Sequence, residues 1–178
     1  DDFLSRFPHP LEPVPFCPTG FYTDPATEPG KHPFHQAGLY YIQEPSAMFV
    51  AEVINAMPHE KVLDLSASPG GKATQIAGMM NNTGLVVAND IHPKRARILS
   101  ENIERLGITN ALVTNETPER LAERFAGYFD KVLVDAPCSG EGMFRKDPEA
   151  TYYWNNEHVA HCAVRQQGIL ESAVTMLK

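Results

Sequence analysis

Short apolar runs alternate with longer amphipathic stretches from residue 61 to the end of the chain. Four of these runs predict buried strands, at 61–65, 85–88, 111–113 and 131–134. The stretches between and after them predict helices, at 71–80, 93–106, 118–125 and 157–177. Largely apolar strands that alternate with helices are typical of a parallel sheet covered on both faces. The pattern therefore predicts an α/β fold with a doubly wound, mostly parallel sheet.

The first 35 residues follow a different pattern, because prolines recur too often there for a helix of useful length. These prolines are Pro8, Pro10, Pro13, Pro15, Pro18, Pro25, Pro29 and Pro33. We expect an extended arm with short strands over 1–35, or alternatively a plain linker. The aromatic residues Phe16, Phe21, Tyr22 and Phe34 favour an arm that is at least partly packed. Residues 36–178 are expected to form the core domain, with a short strand at 39–42 and a helix from Pro45 to about Met57.

Length and cysteine content restrict the class of protein. The chain has 178 residues, which is enough for one domain with a full hydrophobic core. No apolar run approaches the roughly 18 residues that a membrane span needs, so no membrane partner is expected. Cysteines at 17, 138 and 162 are too few and too widely spaced for a disulfide framework, which favours a reducing, cytoplasmic setting. His158, His161 and Cys162 lie close together, but a polar helix face explains them better than a metal site, and no metal is expected.

The net charge of −7 argues against a protein that holds nucleic acid by bulk charge alone. Local basic clusters are still present in the sequence. One cluster comprises Lys94, Arg95 and Arg97, and a second comprises Arg145 and Lys146. A solvated helix face explains the first cluster equally well.

The first predicted strand leads into a turn of small residues that is suited to a ligand. Gly70 and Gly71 allow positive φ angles and a close approach to the backbone, and the amides at the start of the next helix can receive a polar or anionic group. The chain lacks the Gly-x-Gly-x-x-Gly pattern, which disfavours a nicotinamide cofactor. A P-loop is also incomplete, because no glycine stands at the required spacing before Gly71-Lys72 and Ala73 replaces Ser or Thr. Asp90 ends the second strand, where it could cap the next helix. Beside a glycine-rich turn we favour the alternative, a contact with the ribose of an adenosine-bearing cofactor.

The fourth predicted strand ends in Asp135-Ala136-Pro137-Cys138. An isolated free cysteine is most often a small core residue. Its place after a proline at the ligand edge of the sheet favours a reactive thiol instead. A thiol and a methyl donor are both needed to methylate carbon 5 of a pyrimidine, since a thiolate must first add to carbon 6. Asp135 could hold the cytosine amino edge and stabilise the charge that develops.

Several segments together resemble a known family. They are 41–48, 63–72, Asn89-Asp90 and 135–148, of which the last is the most specific. The chain resembles the RsmF/RsmB–Sun–nucleolar-protein family of S-adenosylmethionine-dependent RNA 5-methylcytosine methyltransferases, and its RsmF-like branch above all. The resemblance implies a class I methyltransferase, Rossmann-like core, with S-adenosyl-L-methionine as cofactor and RNA as partner.

The resemblance also implies roles for individual residues. The methionine part of the cofactor would be surrounded by Ser66, Ala67, Ser68, Pro69, Gly70, Gly71 and Lys72. Asp90 would bind the ribose, Asn115 would lie near the adenine, and Asp135 would lie beside both the methyl group and the target cytosine. Cys138 would help to release the methylated product. Pro137, Arg145 and Lys146 would contact the RNA substrate.

The chain departs from the family pattern at three places. Ser66 and Ser68 replace a cysteine and an alanine of the first motif; both are small, so we expect binding to survive. Thr117 stands where the family often has an acidic residue near the adenine. The family's attacking cysteine lies in a Thr-Cys-Thr/Ser motif on the strand after the last helix, and we expect it beyond Lys178. The chain would then be a truncated core with an incomplete sheet, inactive by itself.

The function predicted from the sequence is cytosine carbon-5 methylation of RNA, with rRNA as the expected substrate. Two alternatives are methylation of tRNA by the same fold and a non-catalytic remnant that binds cofactor or RNA. A further alternative makes Cys138 itself the nucleophile, as its Pro-Cys context suggests in DNA cytosine methyltransferases. The match over 140–148 favours the RNA family.

Overall fold

The computed structural model describes residues 2–144 and 147–178. It begins with an arm of short elements. These are helix α1 (Asp2–Arg6), strands β1 (Glu12–Pro13) and β2 (Phe21–Tyr22), 3-10 turns at Pro25–Thr27 and Pro29–Lys31, and helix α2 (Pro33–Gln36). The two strands form an antiparallel pair. The arm helices are five and four residues long, as the prolines require.

The segment after the arm is held by side chains rather than by a strand ladder. The ring of Tyr40 lies 6.0 Å from that of Phe3 and 5.6 Å from that of Phe7, and its hydroxyl donates to the carbonyl of Pro29 at 2.6 Å. Residues 39–42 have no regular secondary structure, so the predicted strand there is wrong. The division between arm and core at residue 35 stays a prediction.

The rest of the chain alternates between helices and strands. The elements are α3 (Pro45–Ile54), β3 (Lys61–Asp64), α4 (Gly71–Met79), β4 (Leu85–Asn89), α5 (Pro93–Arg105), β5 (Ala111–Thr114), α6 (Pro118–Phe125), β6 (Lys131–Leu133) and α7 (Asn156–Met176), with 3-10 turns at Glu141–Met143 and Pro148–Tyr153. The strands pair in parallel in the order β5-β4-β3-β6. Helix α3 ends three residues before the predicted Met57, because Asn55 adopts a left-handed conformation with φ 46°.

Both faces of the sheet are covered, because neighbouring residues of each strand point in opposite directions. On one face Val62 and Val86 pack against α3, α4 and α5, through Ala51, Ile76, Met80, Leu99 and Ile103. On the other face Leu63 and Val87 pack against α6 and α7, through Leu121, Ile169 and Met176, and against Phe129 just before β6. The structure thus confirms the predicted α/β class and the doubly wound parallel sheet.

Strand β6 is one of the two outer strands of the four-stranded sheet that the structure describes, and β5 is the other. Just before β6, Phe129 forms an isolated parallel bridge with Leu177, and the N–H of Lys178 donates to the carbonyl of Phe129 at 3.0 Å. The last residues of the chain are therefore placed beside the start of β6, on the side away from β3.

Candidate active site

The carboxyl ends of β3, β4, β5 and β6 all lie at one edge of the sheet, because the strands are parallel. The segment 65–72 follows β3, Asp90 follows β4, Asn115 follows β5 and the segment 134–140 follows β6. In an open α/β sheet, ligands bind outside this edge. The topology therefore brings together the residue groups that the sequence predicted as a site.

The glycine-rich turn is shaped mainly by contacts within the protein. Gly70 has a φ of +119°, which only glycine adopts easily, and a side chain there would lie 3.2 Å from Leu99. A Cβ on Gly71 would collide with the side-chain oxygen of Gln43 at 1.8 Å. Gly70 thus has the positive φ that the sequence predicted, and a side chain at position 71 would displace Gln43. Close approach of a ligand to the two glycines stays a prediction. Helix α4 nevertheless begins without a side-chain cap, which leaves its first amides suited to a polar ligand.

Gln43 is a positioning contact that the sequence reasoning missed. Its amide nitrogen donates to Gln75 on α4 at 2.9 Å. Gln75 in turn donates to the carboxylate of Glu52 at 2.9 Å and to the carbonyl of Met48 at 3.3 Å. It also lies 3.5 Å from the sulfur of buried Cys17. This group of hydrogen bonds ties the arm and α3 to the helix that carries the glycine turn.

Asp90 is almost enclosed at the end of β4. One oxygen accepts the N–H of His92 at 2.9 Å, and the other faces the guanidinium of Arg95 at 3.1 Å. Its side chain is only 3% exposed, whereas that of Arg95 is 52% exposed. Arg95 also donates to the carbonyl of Ser68 at 3.1 Å, and the Ser68 hydroxyl donates to the carbonyl of Arg95 at 2.9 Å. Arg95 therefore fastens the glycine-rich turn to Asp90.

The basic cluster around Arg95 is thus not uniform. Arg97 points to solvent and pairs with Glu101 one turn further along α5, as a solvated helix face would. Arg95 instead belongs to the site. The sequence offers the i,i+4 pair of Arg97, whereas the contact of Arg95 with Ser68, 27 residues away, becomes visible only in the fold.

Two asparagines connect the segments at this edge of the sheet by hydrogen bonds. Asn89 is buried; its amide donates to the carbonyls of Leu65 and Glu116, and its oxygen accepts from the Thr114 hydroxyl at 2.8 Å. Asn115 donates to the carbonyl of Asp90 at 2.7 Å. Asn115 therefore lies next to the carboxylate predicted for the ribose, while Thr117 caps α6 instead.

Lys72 and Asp135 form an ion pair across the site. The ammonium of Lys72 lies 2.8 Å from a carboxylate oxygen of Asp135, across the gap between the turn after β3 and the segment after β6. The Asp135 side chain is 59% exposed and that of Lys72 is 20% exposed. A donor and an acceptor are therefore presented side by side to a ligand at the sheet edge.

Asp64 is a buried acid directly beneath this pair. It is fully buried at the end of β3; one oxygen accepts the N–H of Ser66 at 3.3 Å, and the other has no hydrogen-bond partner within the described part of the chain. Burial raises the pKa of its carboxyl to about 7, although the Ser66 N–H and the charge of Lys72 act in the opposite direction. The sequence hinted at Asp64 as an acid inside an apolar run, but its burial became clear only from the fold.

We predict that Asp64→Asn changes how stability depends on pH. The folded protein holds a proton on Asp64 between its ordinary pKa of 3.8 and about 7, where the unfolded chain does not. The contribution of this group to the free energy of unfolding is therefore complete below 3.8 and is lost as the pH rises through 7. From pH 4 to 7 the wild type should lose up to about 4 kcal/mol relative to Asp64→Asn.

Urea unfolding at a series of pH values measures this difference. Asp130→Asn serves as the opposite control, because the Lys178 side chain hydrogen-bonds to Asp130 and lowers the pKa of its carboxyl. The lowered pKa of Asp130 makes the stability of the wild type rise with pH, so Asp130→Asn should remove a rise, whereas Asp64→Asn should remove a fall. Parallel pH profiles for the wild type and Asp64→Asn would show that Asp64 titrates normally.

Cys138 lies in an exposed loop rather than in the core. The loop is held to α7, since the side chain of Gln166 donates to the carbonyl of Pro137 at 2.9 Å. Cys17 is the buried thiol of the chain, so the reading of Cys138 as a small core residue does not hold. The predicted substrate contacts Arg145 and Lys146 lie outside the described residues.

Three further features of the described residues bear on other kinds of site: a cavity, the clusters of possible metal ligands and the apolar length of the helices. A cavity of about 800 Å³ lies between the arm and the core and, of the predicted site residues, is lined by Gly71 alone. Among the described residues, no group of three His, Cys, Asp or Glu side chains could hold a metal ion. Cys162 lies 3.8 Å from a ring nitrogen of His158. None of the helices over 2–144 and 147–178 is long and apolar enough to cross a membrane.

A doubly wound sheet with these residues at its carboxyl edge defines a class I methyltransferase core. The model of the 16S rRNA methyltransferase RsmB/F family matches residues 51–178, and that of the N-terminal domain of 16S rRNA methyltransferase RsmF matches residues 1–45. The chain belongs to the RsmB/F methyltransferase family. The family predicted from the sequence is confirmed, and with it S-adenosylmethionine as the cofactor.

Curated relatives agree with this assignment. The chain is 42% identical over 175 residues to ribosomal RNA small subunit methyltransferase F of Aeromonas hydrophila, and 43% identical over 190 residues to that of Vibrio atlanticus. These matches cover 94% and 100% of the chain but 37% and 39% of the relatives. The chain therefore spans less than two fifths of the length of these relatives.

Solved structures show the same core. A methyltransferase homologue from Pyrococcus horikoshii matches with a TM-score of 0.80 and 30% identity, over 99% of this chain and 55% of that one. NSun6 from the same organism, crystallised with SFG, matches with a TM-score of 0.76 and 29% identity, over 84% of this chain and 38% of that one. The predicted roles of single residues remain predictions.

Proposed function

We propose that this chain carries the cofactor and cytosine sites of an S-adenosylmethionine-dependent methyltransferase that modifies carbon 5 of cytosine in small-subunit rRNA. The observation that carries the proposal is the Lys72–Asp135 pair at the carboxyl edge of an RsmB/F core. Asp135 of this pair lies three residues before Cys138. Because the chain spans less than two fifths of its relatives, the activity is proposed for the full coding sequence that contains it.

The residues present fit the cofactor. The uncapped start of α4 and the turn 66–72 suit its polar methionine end, and the carboxylate of Asp90 suits the ribose hydroxyls. When bound, S-adenosylmethionine supplies an electrophilic methyl group. The chain provides the pocket that orients it, with Asn115 behind Asp90 on the adenine side.

The Lys72–Asp135 pair is complementary to the edge of cytosine. Cytosine presents an amino group as donor beside N3 and O2 as acceptors. Asp135 can accept from the amino group while Lys72 donates to N3 or O2, where negative charge develops after a thiolate adds to carbon 6. The pair therefore orients the base and stabilises the addition product.

The second half of the reaction needs a proton acceptor and a leaving thiolate. Once carbon 5 carries the methyl group, loss of its proton restores the C5=C6 double bond and expels the thiolate from carbon 6. We assign Cys138 to this release step, since its loop is exposed beside Asp135 and anchored to α7 by Gln166. The attacking thiol is expected from the family motif that follows the last helix.

Small-subunit rRNA is the proposed substrate because the relatives are ribosomal RNA small subunit methyltransferases. We also propose a cytoplasmic location. The test is transfer of labelled methyl groups by the product of the full coding sequence to 30S subunits, free 16S rRNA, bulk tRNA or no RNA. Label in 5-methylcytosine of rRNA is expected. Label in tRNA alone would favour tRNA as the substrate, and no label with any RNA would favour a non-catalytic remnant.

Asp90→Ala should weaken S-adenosylmethionine binding by about 1–3 kcal/mol, since a charge-assisted hydrogen bond to the ribose is lost. Titration calorimetry on the 178-residue chain measures this change. Glu101→Ala is the matched control: its carboxylate also pairs with an arginine of α5, but on the solvent face. Equal affinities in Asp90→Ala and the wild type, with both folded, would remove Asp90 from the cofactor site.

A further inference from the structure

Glu141 joins the loop of Cys138 to the only tryptophan of the chain. One of its carboxylate oxygens accepts the hydroxyl of Ser139 at 2.5 Å, and the other accepts the indole N–H of Trp154 at 2.7 Å. Both hydrogen bonds lower the pKa of the Glu141 carboxyl, with the bond from Ser139 the larger cause. Ser139, the residue after Cys138, is therefore linked to the indole of Trp154 through two hydrogen bonds to Glu141.

The backbone around Trp154 is also constrained on both sides. The 3-10 turn Pro148–Tyr153 precedes it, and Asn155 caps α7 directly after it by accepting the N–H of His158 at 2.8 Å. Trp154 as a whole residue is nevertheless 39% exposed. An aromatic ring that is large, fixed in place and partly open to solvent costs little entropy when it binds a flat partner.

We propose that Trp154 is a stacking platform for a nucleobase that flanks the target cytosine, and that Glu141 is the residue that positions it. The inference rests on the proposed RNA substrate and adds to it a contact that holds the single strand beside the target cytosine. Single-stranded RNA offers unstacked bases, and aromatic side chains bind their faces without needing a particular sequence. A net charge of −7 makes such a contact more useful, since bulk charge cannot hold the RNA.

Tyr152 provides an internal comparison. It is 85% exposed and lies two residues from Trp154, but no hydrogen bond of its side chain is found in the described part of the chain. If aromatic exposure alone decided RNA binding, Tyr152 should matter at least as much as Trp154. If a fixed ring at the Cys138 loop is needed, Trp154 should matter more.

Intrinsic fluorescence tests the contact directly, because Trp154 is the single tryptophan of the 178-residue chain. The chain is titrated with a short single-stranded RNA that carries cytosine and a terminal dye. Dye anisotropy reports binding, and tryptophan emission reports stacking. We expect emission to fall with the same dissociation constant as the anisotropy change. An abasic ribose-phosphate oligomer and a duplex of the same sequence should leave the emission unchanged.

Variants then separate the platform from its support. Trp154→Ala should weaken RNA binding about ten-fold or more, and Trp154→Phe should restore most of it. Tyr152→Ala should change it much less. Glu141→Ala should lower the fluorescence anisotropy of Trp154, because the ring becomes mobile, and should weaken RNA binding in part. S-adenosylmethionine affinity should stay unchanged in all four variants, which also shows that they are folded.

The outcomes distinguish this inference from the proposed function. If RNA changes the dye anisotropy but neither quenches Trp154 nor depends on it, the platform is overturned and the RNA substrate stands. If the 178-residue chain binds S-adenosylmethionine but no RNA changes the dye anisotropy, the platform is overturned. If the product of the full coding sequence also binds no RNA, the proposed substrate fails with it. A larger effect from Tyr152→Ala than from Trp154→Ala would also overturn the role of Glu141.

Discussion

Asp135→Asn should reduce methyl transfer at least about 10²–10³-fold, the usual cost of removing one group that stabilises developing charge. The substitution keeps the shape of the side chain but removes its charge, so Lys72 loses its partner and cytosine loses a charged acceptor. Because the Asp135 side chain is 59% exposed, the folded structure should tolerate the change. The measurement is single-turnover methylation of rRNA by the full coding sequence that contains this chain.

Asp130→Asn is the matched control for this experiment. Like Asp135, Asp130 lies next to β6 and pairs with a lysine, Lys178, at 2.6 Å. It directly precedes the strand, however, whereas Asp135 follows it. It should alter stability and leave the methylation rate near that of the wild type. Activity of Asp135→Asn close to the wild-type rate, at saturating cofactor and RNA, would exclude Asp135 from the chemistry.

Cys138→Ala should convert the enzyme into one that traps its RNA. If Cys138 assists only the release step, the attacking thiol still adds to carbon 6 and carbon 5 is still methylated, but elimination stalls. A protein–RNA adduct that survives denaturing electrophoresis should then accumulate, with the methyl group in it. The folded state should be little affected, since Cys138 is exposed.

The alternative, in which Cys138 is the nucleophile, predicts the opposite gel. The same substitution would then give neither adduct nor methylation. Cys162→Ala is a control for general effects of removing a thiol, because Cys162 lies on α7 beside His158 and away from the loop of Cys138 in sequence. An adduct in Cys138→Ala that is absent from both the wild type and Cys162→Ala supports the release role.

The alternating part of the chain was predictable from sequence because its strands are short, apolar and regularly spaced. All four core strands and the helices α4 to α7 lie within one or two residues of their predicted ends. The segment 39–42 misled the same reasoning, since an apolar and aromatic run is typical of a strand. Here Tyr40 packs on Phe3 and Phe7 of the arm and donates its hydroxyl to Pro29, whereas Leu39 and Ile42 are exposed, and no ladder forms.

The site was predictable only in part, for a related reason. Motif residues at strand ends could be placed at one edge from topology alone, which located Lys72, Asp90 and Asp135. The contacts that fix them are between residues far apart in sequence, such as Arg95 with Ser68 and Gln43 with Gly71. Hydrophobic periodicity cannot predict such pairs, because the sequence around each partner has the usual pattern of its own helix or loop.

The hydrogen bonds of Gln75 have a consequence for exchanging parts between relatives. Gln75 sits in the core but satisfies its amide with Glu52 and Met48 of α3, and it receives Gln43 and faces Cys17 of the arm. A chimera joined at residue 35 would keep Gln43, Met48 and Glu52 with Gln75 and would exchange only Cys17, whereas one joined between α3 and α4 would separate Gln75 from all four partners. Residues 43–75 should therefore be inherited together, with crossover points placed before Gln43 or after α4.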